Sequence, residues 1–209
     1  GWDVRVIGVS EDGALRWDEL ERALDDGAAL VSCMQVNNET GALLDAERLR
    51  RTVNGRALIH VDGVQGFMRV PMHMERMGVD LYALSGHKIH GPKGIGVLAV
   101  RPGVRLIPQI TGGGQEKGLR SGTYNSPAIL GLGEAVKTLA ADREAVERMR
   151  AMKAHLWAEL SQEGGIRLNG PKPGETDSAP HILSLSFDGV RGEVMRNALE
   201  GEGVLVSTG

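Results

Sequence analysis

The amino-acid sequence predicts an α/β fold with a mainly parallel β-sheet. In the first half of the chain, short apolar runs that end at polar or turn residues alternate with segments of helical apolar spacing. This alternation is typical of βαβ units. The 209 residues are 41% hydrophobic, which is sufficient for one large core, or for one core and a small second domain. We expect a domain boundary near residue 141, with residues 1–141 in a larger domain and 142–209 in a smaller α+β domain.

Predicted strands and helices follow one another from the start of the chain. Gly27 is a suitable stop for the first helix, and Asp45 is a suitable N-cap for the second. In a parallel sheet, ligands bind at the carboxyl ends of the strands. The predicted strands are 3–9, 28–36, 57–61, 79–84 and 95–100, and the predicted helices are 17–24 and 45–52. The polar residues that follow these strands are therefore candidate site residues: Asn38, Asp62, Ser85, His87 and Lys88.

The second half of the chain begins with a glycine-rich polar loop at 109–123. Apolar residues then recur at helical spacing from Ser126 to about Gln162, which predicts one long or slightly broken helix. A loop rich in proline and glycine follows at 170–180. The remaining predicted elements are a strand at 182–187, a short helix at 191–199 and a strand that starts at 204.

Charge and cysteine content narrow the class of protein. The formal net charge is −3, so charge gives no indication of a nucleic-acid partner. No apolar run approaches the roughly 20 residues that span a bilayer, and the first residues lack the pattern of a signal peptide. Cys33 is the only cysteine, which excludes an internal disulfide and indicates a reducing compartment. The sequence predicts a cytoplasmic protein without a membrane segment, and it suggests no metal site.

A lysine lies in the loop between the last two predicted strands of the first half. The loop, residues 85–94, is rich in glycine, and glycines allow the backbone to approach a ligand closely. A lysine desolvated at the end of a buried strand is a nucleophile toward aldehydes. A lysine is more often a solvated surface charge, so this pattern alone leaves both interpretations of Lys88 open.

The loop closely resembles a known cofactor-binding segment. Ser-Gly-His-Lys at 85–88, followed by Gly-Pro-Lys-Gly-Ile-Gly at 91–96, is similar to the lysine segment of the class V aminotransferase family, and most similar to that of its cysteine desulfurases. The resemblance implies pyridoxal 5'-phosphate bound covalently to the amine of Lys88, with Ser85 and His87 as ligands of the cofactor phosphate. It also implies fold type I of the pyridoxal-phosphate enzymes, with part of the large domain and the start of the small one.

A second segment matches the same family. Val-Asp-Gly-Val-Gln at 61–65 resembles the element Val-Asp-Ala-x-Gln. The resemblance implies that Asp62 pairs with the pyridine nitrogen and that Gln65 bonds the phenolic oxygen of the cofactor. Gly63 stands where the family usually has alanine. Taken alone, Asp62 is equally explained as a helix-capping residue.

Asn38 and Thr123 lie in two further matching segments. Val-Asn-Asn-Glu-Thr-Gly at 36–41 resembles the segment that places Asn38 at the cofactor and substrate. The loop at 112–123 resembles Gly-Gly-Gly-x-Glu-x-Gly-x-Arg-Ser-Gly-Thr, which implies that Thr123 reaches the phosphate held by a neighbouring subunit, and hence a homodimer with shared sites. Arg120 is expected to position this loop or to face the dimer interface. Taken alone, the two segments are an Asx turn and a flexible linker.

The resemblance implies conversion of L-cysteine to L-alanine, with the sulfur passed as a persulfide to an acceptor protein for iron–sulfur cluster assembly or tRNA thiolation. Another class V enzyme, such as a selenocysteine lyase or an aminotransferase, is the first alternative. The second is an inactive fragment that only dimerises or binds a partner. We expect an internal fragment without turnover of its own, because the family's catalytic cysteine follows a segment like Ser-Thr-Gly at 207–209 and its N-terminal part has no counterpart here. We expect Cys33, inside a predicted strand, to be a buried and inert thiol.

Overall fold

The computed structural model describes residues 1–208. By their contacts these residues form two compact units. The sheet unit contains Leu24–Gln35 and Ala46–Arg143, and the terminal unit contains Gly1–Ala23, Val36–Asp45 and the described residues from Glu144 onward. These units are defined by which residues contact one another, and they do not test the domain boundary. The boundary expected near residue 141 therefore stays a prediction.

Helices and strands alternate along the first half of the chain, as predicted. The helices are α1 (Trp17–Asp25), α2 (Ala46–Val53), α3 (Met74–Met77), α4 (Ser126–Ala141), α5 (Ala145–Leu160) and α6 (Gly192–Gly201). The strands are β1 (Leu30–Met34), β2 (Leu58–Asp62), β3 (Leu81–Ser85), β4 (Gly96–Val100), β5 (Ile166–Asn169) and β6 (Ser184–Phe187). Short 3-10 turns lie at Gly86–Ile89 and Glu116–Gly118.

The sheet unit contains a mixed sheet in the order β1-β2-β3-β4. β1, β2 and β3 are parallel and β4 is antiparallel to β3, which confirms the predicted, mainly parallel sheet. In the register of the strands, Met34 lies opposite Asp62, and Asp62 lies opposite Ala83. The carboxyl ends of the three parallel strands therefore meet at one edge of the sheet.

The two faces of this sheet are buried to different extents. Along β2, Ile59 and Val61 are buried, whereas Leu58 is exposed and His60 and Asp62 are half-buried. Successive side chains of a strand point to opposite faces, so Asp62 lies with His60 on the more open face.

Helices α1 and α2 confirm the helices predicted in the first half of the chain. The long or slightly broken helix predicted from Ser126 onward is two separate helices, α4 and α5. Asn125 caps α4 by accepting a hydrogen bond from the Ala128 N–H, and α4 ends where the Asp142 N–H bonds to the Leu139 carbonyl. Apolar residues keep helical spacing through the break, which is why the pattern did not separate the two helices.

Two predicted strands are wrong. Residues 3–9 contain only an isolated β-bridge between Val9 and Leu15, and Val4 and Val6 are 80% and 89% exposed. Residues 204–208 also form no strand. A strand needs a neighbour that pairs with its N–H and C=O groups along its length. Within residues 1–208, neither apolar segment has such a neighbour beyond the single bridge at Val9.

The terminal unit contains a small antiparallel sheet in which β5 pairs with β6, from Ile166 opposite Phe187 onward. β6 and α6 confirm the strand predicted at 182–187 and the helix predicted at 191–199, whereas β5 was not predicted. No helix among residues 1–208 combines the length and the apolar character that a membrane crossing requires.

A lysine side chain is buried in the terminal unit. Lys153 of α5 is only 8% exposed, and its Nζ donates hydrogen bonds to Ser178 Oγ (2.6 Å) and to the Ala179 carbonyl oxygen (2.8 Å). Burial and, secondarily, the charge of Arg150 lower the pKa of Lys153 to about 8. This amine ties the loop before β6 to α5.

Candidate active site

The predicted cofactor lysine lies in a tight loop that follows β3. Gly86–Ile89 form a 3-10 turn in which Lys88 is half-buried. The Gly86 N–H donates to the Ile95 carbonyl (2.9 Å), and the Gly91 N–H donates to the Gly86 carbonyl (2.9 Å). These hydrogen bonds close the loop on itself, so the backbone that carries Lys88 is held in one conformation.

The predicted phosphate ligands contact each other at the start of this loop. Ser85 Oγ and His87 Nδ1 are 2.7 Å apart, a hydrogen-bond distance, and His87 is exposed. A hydroxyl and an imidazole side by side are suitable hydrogen-bonding groups for a phosphate. The fold thus brings both side chains together directly before Lys88.

Asp62 ends β2, the strand adjacent to β3. Its Oδ1 accepts a hydrogen bond from the Val64 N–H (2.9 Å) and so begins the β2 turn, residues 63–70. The helix-capping role considered for Asp62 is not observed, because turns follow β2 at this point and no helix begins there; the carboxylate forms an Asx turn instead. Gln65 is half-buried in the same turn. Since Asp62 pairs with Ala83 of β3, its carboxylate lies at the sheet edge where β3 leads into the lysine loop.

An arginine of the β2 turn contacts the lysine loop directly. Arg69 Nη2 donates to the Lys88 carbonyl oxygen at 2.5 Å. Burial lowers the pKa of Arg69, although an arginine keeps its charge in proteins. Its Nη1 is buried without a hydrogen-bond partner among residues 1–208. Sequence reasoning missed Arg69, because its spacing does not distinguish it from the surface arginines of the chain.

A buried side-chain hydrogen bond lies next to the β2 turn. Tyr82 Oη donates to Gln35 Oε1 at 2.6 Å, and both residues are buried. Gln35 Nε2 donates in turn to the carbonyl oxygens of Val70 (3.1 Å) and Pro71 (3.4 Å). Sequence reasoning missed this pair too. The available signal was the polar Gln35 within the apolar run 28–36.

The loop that carries Thr123 is folded, in contrast to the flexible linker that composition suggested. The Gly122 N–H donates to Gln115 Oε1 (3.0 Å). Ser121 is buried, and its N–H donates to the Ile110 carbonyl (3.0 Å). Thr123 itself is exposed, so its hydroxyl is accessible from outside this chain.

Arg120 has one of the two roles expected for it. Its Nη1 donates to the Ser121 carbonyl oxygen at 2.7 Å, which positions the loop from within. Helix α4 follows this loop and packs against the Gly86–Ile89 turn. The Thr123 loop and the lysine loop therefore belong to the same unit and share α4 as a support.

Asn38 lies in the terminal unit, on the turn that follows β1. Asn37 Oδ1 accepts hydrogen bonds from the N–H groups of Glu39 and Thr40, both at 2.9 Å. The Asx turn that the sequence suggested is thus formed by Asn37, and Asn38 is exposed beside it.

Cys33 lies on β1 and is half-buried. Burial raises the pKa of its thiol to about 11, and the thiolate is the form that acts as a nucleophile. Cys33 is thus less buried than expected, and its raised pKa favours the inert thiol that the sequence predicted.

Comparisons with known proteins agree on a single family. The sequence model of the family described as Aminotransferase class-V matches residues 1–209. The chain is 39% identical over 204 residues to a cysteine desulfurase IscS of Klebsiella pneumoniae, covering 96% of this chain and 50% of that protein. It thus spans about half the length of the curated relatives it matches.

Solved structures give the same result. The chain is similar to a NifS-like protein with a TM-score of 0.91 and 38% identity, covering 100% of this chain and 57% of that one. It is also similar to a NifS-like protein of Rickettsia africae, with a TM-score of 0.91 and 29% identity, covering 98% and 57%. These likenesses confirm the predicted fold class.

Proposed function

Because the chain belongs to the class V aminotransferase family, we propose that the protein is a pyridoxal-phosphate-dependent cysteine desulfurase. In the proposed reaction, a nucleophilic cysteine thiolate other than Cys33 attacks the sulfur of L-cysteine as the bond between that sulfur and Cβ breaks, which leaves L-alanine. The resulting persulfide passes its sulfur to an acceptor protein, for iron–sulfur cluster assembly or tRNA thiolation. The similar proteins are a cysteine desulfurase and a NifS-like protein, and this favours the proposed reaction over that of a selenocysteine lyase or another aminotransferase.

The link between the β2 turn and the lysine loop is the observation that carries the proposal. Asp62 begins this turn, and Arg69 near its end bonds the Lys88 carbonyl. The carboxylate and the amine therefore lie on segments that are fixed to each other. An amine for the aldehyde, a carboxylate for the pyridine nitrogen and a hydroxyl–imidazole pair for the phosphate are the groups that pyridoxal phosphate needs, so the residues of this site fit that cofactor.

Each residue has a proposed task. When bound, pyridoxal phosphate supplies an electron sink for the electron pair left on the substrate Cα. The Lys88 amine would hold the cofactor covalently, and its Nζ would be the base that takes the proton from Cα. The Asp62 carboxylate would keep a proton on the pyridine nitrogen, and Gln65 would bond the phenolic oxygen.

The remaining site residues bind the phosphate or the substrate. Ser85 and His87 donate hydrogen bonds to the cofactor phosphate, and Asn38 orients the cofactor and the substrate. Thr123 bonds the phosphate held by a second copy of the chain, so the working form is proposed to be a homodimer with shared sites. The cytoplasmic location suggested by a single cysteine stays a prediction.

The test is reduction with borohydride after incubation with pyridoxal phosphate, followed by peptide mapping. We expect the pyridoxyl label on Lys88, because the loop holds this amine beside Ser85 and His87. Label spread over many lysines, or absent, would contradict the proposal.

Two variants make the labelling experiment specific. Lys88→Ala should abolish the label, whereas Lys93→Ala, on the same loop, should leave it unchanged. Equal loss in both variants would mean that the loop, and not the Lys88 amine, determines labelling.

A further inference from the structure

Gln35 holds both ends of the β2 turn. Its backbone N–H donates to the Asp62 carbonyl oxygen (2.8 Å), where the turn begins. Its side-chain Nε2 donates to the Val70 carbonyl oxygen (3.1 Å), where the turn ends. Gln35 is 3% exposed, so water cannot replace these hydrogen bonds. A single residue at the end of β1 thus fixes the span of the turn that carries Gln65.

Tyr82 in turn fixes the amide of Gln35. The Tyr82 hydroxyl donates to Gln35 Oε1 at 2.6 Å, and Tyr82 is 5% exposed. This contact leaves Nε2 to donate to the Val70 carbonyl at the end of the turn, while Oε1 lies against Gly66. Burial and the charge of Asp62 raise the pKa of Tyr82 to about 12, so the hydroxyl keeps its proton at neutral pH. The donor is therefore present whenever the site works.

The backbone of the β2 turn lies directly against these two side chains. A Cβ atom at Gly63 would lie 2.0 Å from Tyr82 Cζ and 2.1 Å from its Oη. A Cβ atom at Gly66 would lie 2.0 Å from Gln35 Oε1. Real Cβ contacts are far longer, so both positions require glycine while Tyr82 and Gln35 are present. Gly63, which departs from the alanine usual in the resembling motif, is matched to the tyrosine ring.

We infer that Tyr82 and Gln35 are positioning residues for Asp62 and Gln65, with Gly63 and Gly66 as the size-matched contacts through which they act. Neither side chain touches the reacting atoms. They hold the turn so that the Asp62 carboxylate and the Gln65 amide face the pyridine ring of the cofactor. This positioning role rests on the proposed function. The packing of Tyr82 against Gly63 and of Gln35 against Gly66 is independent of that function.

The packing part is tested without cofactor, by the free energy of unfolding in urea. Gly63→Ala should be strongly destabilising, because the new methyl group meets the tyrosine ring. The same substitution should cost much less when it is introduced into Tyr82→Leu, since leucine lacks the Cζ and Oη atoms of the clash. It should remain costly in Tyr82→Phe, since phenylalanine keeps Cζ. An equal cost of Gly63→Ala in the two backgrounds would overturn the size match.

The positioning part is tested on the full chain loaded with pyridoxal phosphate. Tyr82→Phe removes only the hydroxyl and leaves the Gln35 oxygen buried and unpaired, so the cofactor concentration for half-maximal labelling of Lys88 should rise about tenfold. The pH at which the absorption of the bound cofactor changes should also shift, because Asp62 no longer faces the pyridine nitrogen correctly. Ser161→Ala, which removes an exposed hydroxyl of the terminal unit, should change neither measurement.

The possible outcomes separate the two proposals. If Tyr82→Phe lowers stability but leaves the absorption titration unchanged, Tyr82 is merely structural and the inference is wrong. If the natural chain takes no label at Lys88, the proposed function fails and the positioning role fails with it. The unfolding measurements still report the packing in that case, so the two failures are distinguishable.

Discussion

Each unit of the molecule contains a set of buried side-chain hydrogen bonds that holds a loop. We call each set a connection, and the two connections differ in charge. In the sheet unit, the neutral side chains of Tyr82 and Gln35 hold the β2 turn. In the terminal unit, the amine of Lys153 holds the loop at Ser178 and Ala179. Both satisfy buried hydrogen-bonding groups, which are costly to leave unpaired.

The difference in charge sets how each connection responds to pH. Tyr82 has a pKa raised to about 12, and Lys153 has a pKa lowered to about 8. The phenol therefore stays in one protonation state across the neutral range, whereas the lysine titrates near its upper end. A neutral hydrogen bond suits the turn that begins at Asp62, the carboxylate proposed to pair with the cofactor. A buried amine instead makes local stability depend on pH.

The largest expected effect comes from removing the neutral connection. Gln35→Leu leaves the Tyr82 hydroxyl buried without a partner, at about 1–3 kcal/mol, and removes the hydrogen bond to the Val70 carbonyl. We expect the free energy of unfolding in urea to fall by about 3 kcal/mol. Gln109→Leu, at an exposed glutamine, should change it by less than about 0.5 kcal/mol. A similar small change in both variants would show that the buried connection is not stabilising.

A smaller effect is expected on how the free energy of unfolding depends on pH, and it concerns Lys153. The pKa of Lys153 is near 10.5 in the unfolded chain and about 8 in the folded chain. Between these values the unfolded chain binds more protons, so the free energy of unfolding rises with pH. The stability of the natural chain relative to Lys153→Met should increase by about 1 kcal/mol from about pH 7.5 to about pH 9.

The matched control for this pH series is Lys137→Met, because Lys137 is exposed. Its stability difference from the natural chain should stay constant over the same range. For Tyr82 the sign is opposite: its folded pKa is raised, so its contribution is present below about pH 10 and is lost as the pH rises toward 12. A flat difference for Lys153→Met would contradict the contrast between the two connections.

The smallest expected effect concerns Cys33, which is neutral and half-buried in the sheet unit. With its pKa raised to about 11, the thiol should react with a disulfide reagent at pH 8 only after unfolding. Cys33→Ala should leave the labelling of Lys88 unchanged. Rapid reaction in the folded chain would instead make Cys33 a candidate sulfur carrier.

Most of the sheet could be predicted because its strands are apolar runs that end at polar residues. The same rule placed Asp62 and Ser85 at strand ends, where the structure has them, whereas Lys88 lies in the 3-10 turn that directly follows β3. The strands predicted at 3–9 and 204–208 were wrong because a strand also requires a pairing neighbour, which an apolar pattern does not report. The break between α4 and α5 was not predicted, because the apolar residues on either side of residues 142–144 keep the same helical spacing.

Arg69, Tyr82 and Gln35 could not be found from the sequence, because their importance depends on contacts between distant segments. The Tyr82–Gln35 hydrogen bond joins residues 47 positions apart, and Arg69 acts on a carbonyl oxygen, which every residue has. Gly63 was noticed as a departure from the resembling motif, but its reason lies on a neighbouring strand. Motifs in a sequence thus identify the residues that would contact a cofactor, but not the residues that hold those residues in place.

The contact between Gly63 and Tyr82 also imposes an order on evolutionary change. A lineage that carries this tyrosine cannot accept alanine at residue 63 first, because the methyl group would overlap the ring. It must first replace the ring by a smaller side chain, and only then is alanine accommodated. In the reverse direction, glycine at residue 63 must precede the tyrosine. Residues 63 and 82 are therefore expected to change in a fixed order. In both directions the intermediate sequence combines glycine at residue 63 with a side chain smaller than tyrosine at residue 82.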